Sequence, residues 1–168
     1  MTSSAYRMVL AELADGQGIE RAAIEVESTP ASVRDARSFV RQQLSGWRFP
    51  ESGDFTEGVV LAVSELVTNA VVHGRTRPAD DSEHVGIALA LKPGRSLGVL
   101  VTDNSGGAPV ATVRPDRHAT CGRGLKLVGA VADYWTAAPR ESAQGSIGKG
   151  VWAVFRCPES AELLPRSA

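Results

Sequence analysis

Residues 54–74, DFTEGVVLAVSELVTNAVVHG, decide how the rest of the chain is read. Asp54 and Glu57 have capping-box spacing at the start of this run and Gly74 is a stop signal after it. Between them an almost unbroken apolar pattern predicts one long, core-buried helix reaching Val72. Against that background Glu65, Asn69 and His73 stand out. They recur at i, i+4 and i+8, so they share one face. Three stacked polar groups on an apolar helix form either a solvated stripe or the wall of a wet site, because burying them without partners is costly. In the second case Glu65 has the chemistry of a proton acceptor, and Asn69 offers a neutral oxygen suited to a hard cation such as Mg2+.

Upstream, residues 22–28 (AAIEVES) alternate apolar and charged as a half-buried strand does, and Pro30 sits where a helix would begin. Val33, Ala36, Val40 and Leu44 then recur at helical spacing over 31–44. Downstream, 85–91 and 97–102 are two apolar strands joined by the turn sequence Lys92-Pro93-Gly94-Arg95, which predicts an antiparallel hairpin. A short helix over 125–132 and strands over 134–138 and 150–156 complete the series. Runs of strands with helices to one side predict an α+β fold, a two-layer α/β sandwich with a mixed, mostly antiparallel sheet and helices on one face. Residues 19–158 read as a single domain, with 1–18 a peripheral segment and 159–168 a tail.

Composition sets outer bounds. With 168 residues, 43% of them hydrophobic, the chain can build one sizeable core but hardly two. A formal net charge of −1 excludes both an acidic disordered tail and a basic arm, so no direct nucleic-acid partner is expected. The longest apolar runs, such as Val59 to Val63, are five residues, and no membrane partner is expected either. The N-terminus does not read as a secretory signal, and Cys121 and Cys157 are too few for a disulfide scaffold. A cytoplasmic location with both thiols free is the expectation.

Glycines crowd into the second half of the chain, and two of the clusters have chemistry beside them. At the end of the second hairpin strand, Asp103-Asn104-Ser105-Gly106-Gly107 is either an Asx-type turn or a ligand-binding acid at a strand end. Gly122-Arg123-Gly124-Leu125 stands before a helix, where free backbone N–H groups, the helix dipole and a guanidinium all suit phosphate. Two better-known signatures fail here. A dinucleotide fingerprint would need glycine where Leu127 stands, and a P-loop would need glycine at Ala143 and a hydroxyl at Gly150. His118-x-x-Cys121 has metal-ligand spacing but lacks a second pair, so zinc is not expected.

Taken in order, these pieces resemble the Bergerat ATP-binding domain shared by gyrase, Hsp90-type chaperones, histidine kinases and MutL, the GHKL family. ELVTNAVVHG (65–74) looks like its N box, with wording closest to the anti-sigma-factor serine kinases of the RsbW and SpoIIAB type. Residues 103–107 resemble the first glycine box, GRGLKLV (122–128) the second, and GKGVW (148–152) the closing strand motif. The resemblance spans roughly residues 22–156. It implies ATP and Mg2+ as cofactors, with Asn69 as metal ligand, Glu65 as general base on an accepting serine, and Arg123 stabilising the transferring phosphoryl group. It implies that Asp103 accepts from the adenine amino group and that Gly122 and Gly124 lend backbone to the phosphates. His73, Ser105, Gly107, Leu125 and Lys149 are placed among the nucleotide contacts, and 108–121, with Arg114, Arg117 and His118, in the position of the ATP lid.

The chain departs from the family pattern at Ser105, where a glycine is usual, and at Gly150, where a hydroxyl is common. No phosphoacceptor hairpin precedes the domain, so a stand-alone regulator is expected rather than a sensor kinase. Two readings of function follow. In the first, the protein phosphorylates an anti-sigma-factor antagonist on serine and, in the alternative partner state, sequesters a sigma factor; a homodimer is compatible with it. In the second, it is a non-catalytic ATP-binding partner-switching module. Retention of Glu65 favours the first, because a pure binder has no need of a base.

Overall fold

The computed structural model describes residues 3–74, 76, 83–105, 123–141 and 147–158. In chain order the elements are α1 (Ser3–Asp15), β1 (Glu20–Glu27), α2 (Ser32–Gly46), α3 (Asp54–His73), β2 (His84–Lys92), β3 (Ser96–Asp103), α4 (Arg123–Val131), β4 (Tyr134–Glu141) and β5 (Ile147–Arg156). The strands form one sheet in the order β1, β2, β3, β5, β4. All four neighbouring pairs are antiparallel, so the expected α+β sandwich is built without a parallel pair among the described strands.

Alternation along the strands sorts the sheet into two faces. Val85, Ile87, Leu89 and Leu91 of β2, Leu97, Val99 and Val101 of β3, and Ala153 and Phe155 of β5 point to one side. There they meet Ala36, Val40 and Leu44 of α2, Val59, Val60, Ala62, Val63, Leu66 and Val67 of α3, and Val128 of α4. By length and composition α3 could cross a membrane. One face of it is instead spent on this core, with Val59, Ala62, Val63 and Val67 fully buried.

The start of α3 differs from the capping-box expectation. Gly53 is the N-cap and gives no side-chain bond, while Asp54 is already helical. Glu57 is drawn away from the cap by Arg41 of α2, which donates to both carboxylate oxygens at 2.9 and 3.0 Å. A bidentate guanidinium is a stronger partner than one backbone N–H, and the pair ties α2 to α3. The hairpin turn forms as read, with Arg95 N donating to Lys92 O at 3.0 Å and Gly94 at φ 70°.

One helix departs from the single-face expectation. α1 lies on the opposite side of the sheet, where a Cβ on Gly98 of β3 would come within 2.8 Å of Leu13. Leu13, Ala90 and Val154 are buried there, apart from the main core. Arg21 donates to the carbonyls of Leu13 and Ala14 at the end of α1, and Glu12 pairs with Lys92 and Arg95. Residues 1–18 show only a weak apolar pattern because this helix buries a narrow strip against glycine and alanine.

Candidate functional site

The end of α3 meets the end of β3. Gly74 packs directly on Asp103: a Cβ there would overlap the Ala70 carbonyl and lie 2.6 and 2.7 Å from the Asp103 Cβ and Cγ. On the other side Gly148 of β5 leaves equally little room over the Asp103 backbone. The exit of α3 is held by a staple absent from the sequence reading. Glu83, itself buried, accepts from the Thr76 hydroxyl at 2.7 Å and from the Thr76 N–H at 3.1 Å.

Asp103 is 6% exposed, and its two oxygens have different surroundings. Oδ1 accepts from Ser105 N at 2.9 Å and from Ser105 Oγ at 2.6 Å, the Asx-type turn of the sequence reading. Oδ2 faces Lys149 Nζ at 3.5 Å. Asp103 and Lys149 are register partners across the β3–β5 pair, so both project from the helix-covered face. Between them and α3 lies a cavity of about 80 Å3 lined by Asn69, His73, Asp103 and Lys149, with Leu66, Val101, Leu125, Trp135 and Val151 among its apolar walls. A few convergent polar groups in an apolar cleft are the usual make-up of a small-molecule site.

The third polar residue of the helix stripe lies a turn back along α3 from Asn69. Gly124, in the first turn of α4, abuts this residue, Glu65, and Asn69 as well: a Cβ on it would lie 2.6 Å from Glu65 Oε2 and 3.3 Å from Asn69 Nδ2. Further on, Gly58 of α3 faces Val131 of α4, so the two helices run antiparallel in close contact. Nine residues separate Glu65 from Gly74, about 13 Å of helix axis. The site therefore has two ends, a buried carboxylate at one and an acid beside an amide and a helix N-terminus at the other.

The histidine kinase-like ATPase domain is the family that matches, over residues 26–148. The chain belongs to that family. One chain of the SiaB–SiaC complex of Pseudomonas aeruginosa has a similar fold, with a TM-score of 0.55 and 14% identity, covering 92% of this chain and 99% of that one. No curated protein matches the chain.

For a histidine kinase-like ATPase domain, ATP binding is implied, and the described residues fit a magnesium nucleotide. Asn69 offers a neutral hard oxygen beside Gly124 in the first turn of α4, surroundings that suit Mg2+ and phosphate, and Glu65 stands next to it. Asp103 supplies an acceptor-only carboxylate in an apolar pocket. Leu125 and His73 line the same cleft. Gly107 and Gly122, the lid positions including Arg114, Arg117 and His118, Cys121, and the side chain of Arg123 lie outside the described residues.

Gly150 requires a correction. The sequence reading makes it the place of a missing nucleotide-fixing hydroxyl, but Gly150 pairs with Thr102 and its absent side chain would meet Leu100 and Thr102 on the sheet face away from the pocket. The pocket face of β5 belongs to Lys149 and Val151. Strand parity running back from Phe155 and Ala153 carries this information in the sequence. Trp135 and Val151, which wall the pocket, were missed for the same reason: without the register they are ordinary core residues.

Proposed function

We propose that this histidine kinase-like ATPase domain is an ATP-dependent protein-serine kinase that phosphorylates an anti-sigma-factor antagonist in the cytoplasm. In its alternative partner state it sequesters a sigma factor. Residues 19–158 form the ATP-binding unit of this reading. The observation that carries it is the placement of Glu65 and Asn69 together against Gly124, at the opposite end of the site from Asp103. A pure nucleotide binder has use for the acceptor and the metal ligand but none for an extra carboxylate at the phosphate end.

ATP, as substrate, supplies the phosphoryl group, and Mg2+ when bound screens its charge. Asp103 accepts from the adenine amino group, and Asn69 offers its amide oxygen to the metal. Glu65 takes the proton of the serine hydroxyl as the serine oxygen bonds to the γ-phosphorus and the bond from that phosphorus to the ADP oxygen breaks. Arg123 and the glycines beside it serve the phosphates. The likeness to a chain crystallised in a two-protein complex supports a role that runs through a protein partner.

A second reading, the non-catalytic partner-switching module, draws on Ser105. Its N–H and hydroxyl already occupy Asp103 Oδ1, so the acceptor for adenine is shared from the outset. The two readings separate on Glu65→Gln, which keeps shape and hydrogen bonding but removes the proton acceptor. The kinase reading predicts serine labelling of a co-encoded antagonist slowed by roughly 10²–10⁴-fold, with ATP affinity little changed. Mass spectrometry and calorimetry on both proteins decide it: equal labelling removes the base role, and no labelling by wild type across a panel of antagonists selects the module.

A further inference from the structure

Lys149 occupies a position that neither catalysis nor phosphate binding explains. Its ammonium lies 3.5 Å from Asp103 Oδ2, at the end of the cleft where α3 meets β3, whereas Glu65 lies beyond Asn69, against Gly124 in the first turn of α4, and does not line this cavity. It is the register partner of Asp103 and lines the same cavity, and its inner-face neighbour on β5, Val151, has no polar atom to offer a ligand. At 3.5 Å the contact is longer than the 2.7–2.9 Å usual for an ammonium–carboxylate hydrogen bond. Lysine carries three donors and no acceptor, so it has donors to spare.

Asp103 cannot turn to meet every ligand, because Ser105 holds Oδ1 through two bonds. That leaves Oδ2 toward the cavity, with the Lys149 ammonium beside it. The pocket thus presents one fixed acceptor next to one donor. The Watson–Crick edge of adenine is the complement: an amino donor with the N1 acceptor adjacent to it. Guanine offers the reverse at the same two places, the O6 acceptor and an N1–H donor.

We propose that Lys149 donates to adenine N1 while Asp103 accepts from the adjacent amino group, so that the Asp103–Lys149 pair is what selects the base. The proposal rests on the reading of this cleft as the adenine site and deepens it, since it puts a charged donor of the inner face of β5 beside the acceptor. It differs from the plain alternative, in which Lys149 only offsets the charge of a buried carboxylate.

The test uses the full chain and calorimetric titration with ATP, with 1-deaza-ATP, in which N1 is replaced by C–H, and with GTP. Wild type is expected to bind ATP about tenfold or more tightly than 1-deaza-ATP, the range for losing a hydrogen bond to a charged group. Lys149→Met should lose that same factor for ATP and no longer distinguish ATP from 1-deaza-ATP. Lys149→Gln, which keeps an amide donor, should restore part of the distinction, and thermal melts confirm that each variant is folded. Equal binding of the two nucleotides by wild type, or an equal loss for both in Lys149→Met, overturns the role of Lys149 while leaving the adenine site standing. Failure of wild type to bind ATP, or equal binding of GTP and ATP, overturns the adenine-site reading itself and the proposal with it.

Discussion

Gly124 of α4 stands so close to Glu65 of α3 that a single added carbon would lie 2.6 Å from the carboxylate oxygen. The contact does not involve backbone on the Glu65 side, only the far end of a flexible side chain. Gly124→Ala is therefore expected to leave the fold intact, since the carboxylate can swing aside and alanine is the better helix former by about 1 kcal/mol. Melting temperature should hold or rise slightly. Serine labelling should fall roughly tenfold to a hundredfold, because a displaced base costs more in rate than in stability. An unaltered rate would mean that the position of Glu65 does not matter to the chemistry.

Gly74 presents the opposite case. The atoms that a Cβ would strike are the Ala70 carbonyl and the root of the Asp103 side chain, and neither can move without shifting α3 or β3. Gly74→Ala should lower stability by about 1–3 kcal/mol, the usual cost of overpacking. ATP binding should weaken together with it. Chemical denaturation and calorimetry on the same preparation check both effects, and wild-type stability in the variant would show that the end of α3 is free to give way.

Leu13 tests the helix on the far side of the sheet. It is 1% exposed and sits against Gly98, with Ala90 and Val154 buried in the same small cluster. Leu13→Ala removes most of that contact and is expected to cost about 2–5 kcal/mol. The cleft lies on the other face, so ATP affinity measured well below the melting temperature should stay at the wild-type value. A loss of affinity without a loss of stability would tie α1 to the site.

Cys157 gives a pH dependence with a defined sign. Burial pushes its thiol up to about 11 from an ordinary value of 9, partly offset by the backbone hydrogen bond with Arg95. The folded chain therefore holds the proton more tightly than the unfolded one. The stability this contributes is fully present below pH 9 and is lost as pH rises through about 11. In a Cys121→Ser background, thiol labelling at pH 8 should be much slower in the folded protein than in denaturant. The denaturation midpoint should also fall more steeply between pH 9 and 11 than in the further Cys157→Ser variant.

Much of the fold was legible because each element carries a local pattern that needs no partner to be recognised. The long apolar run of α3, the alternation of β1 and the Lys92–Arg95 turn each name their own structure. Part of the site was legible in the same way, since Glu65, Asn69 and His73 share a helix face by spacing alone. The Arg41–Glu57 pair was not, because residues sixteen apart in sequence compete with a local cap only once α2 and α3 are side by side. The Thr76–Glu83 staple was hidden for a similar reason, as nothing local pairs a loop hydroxyl with a carboxylate seven residues later.

What the sequence determined by itself was the run of elements from β1 to β5, though not α1, with the polar stripe of α3 and the acid at the end of β3, all properties legible within one segment. Only the tertiary structure decided which groups meet. It put Gly124 against Glu65 and Asn69, closed Gly74 and Gly148 over Asp103, turned Lys149 toward the cleft and Gly150 away from it, and set α1 on the outer face of the sheet. The physical reason is register. A strand alternates faces at every residue, so which side chains enter the pocket depends on how β5 pairs with β3, and that pairing is a relation between segments about fifty residues apart.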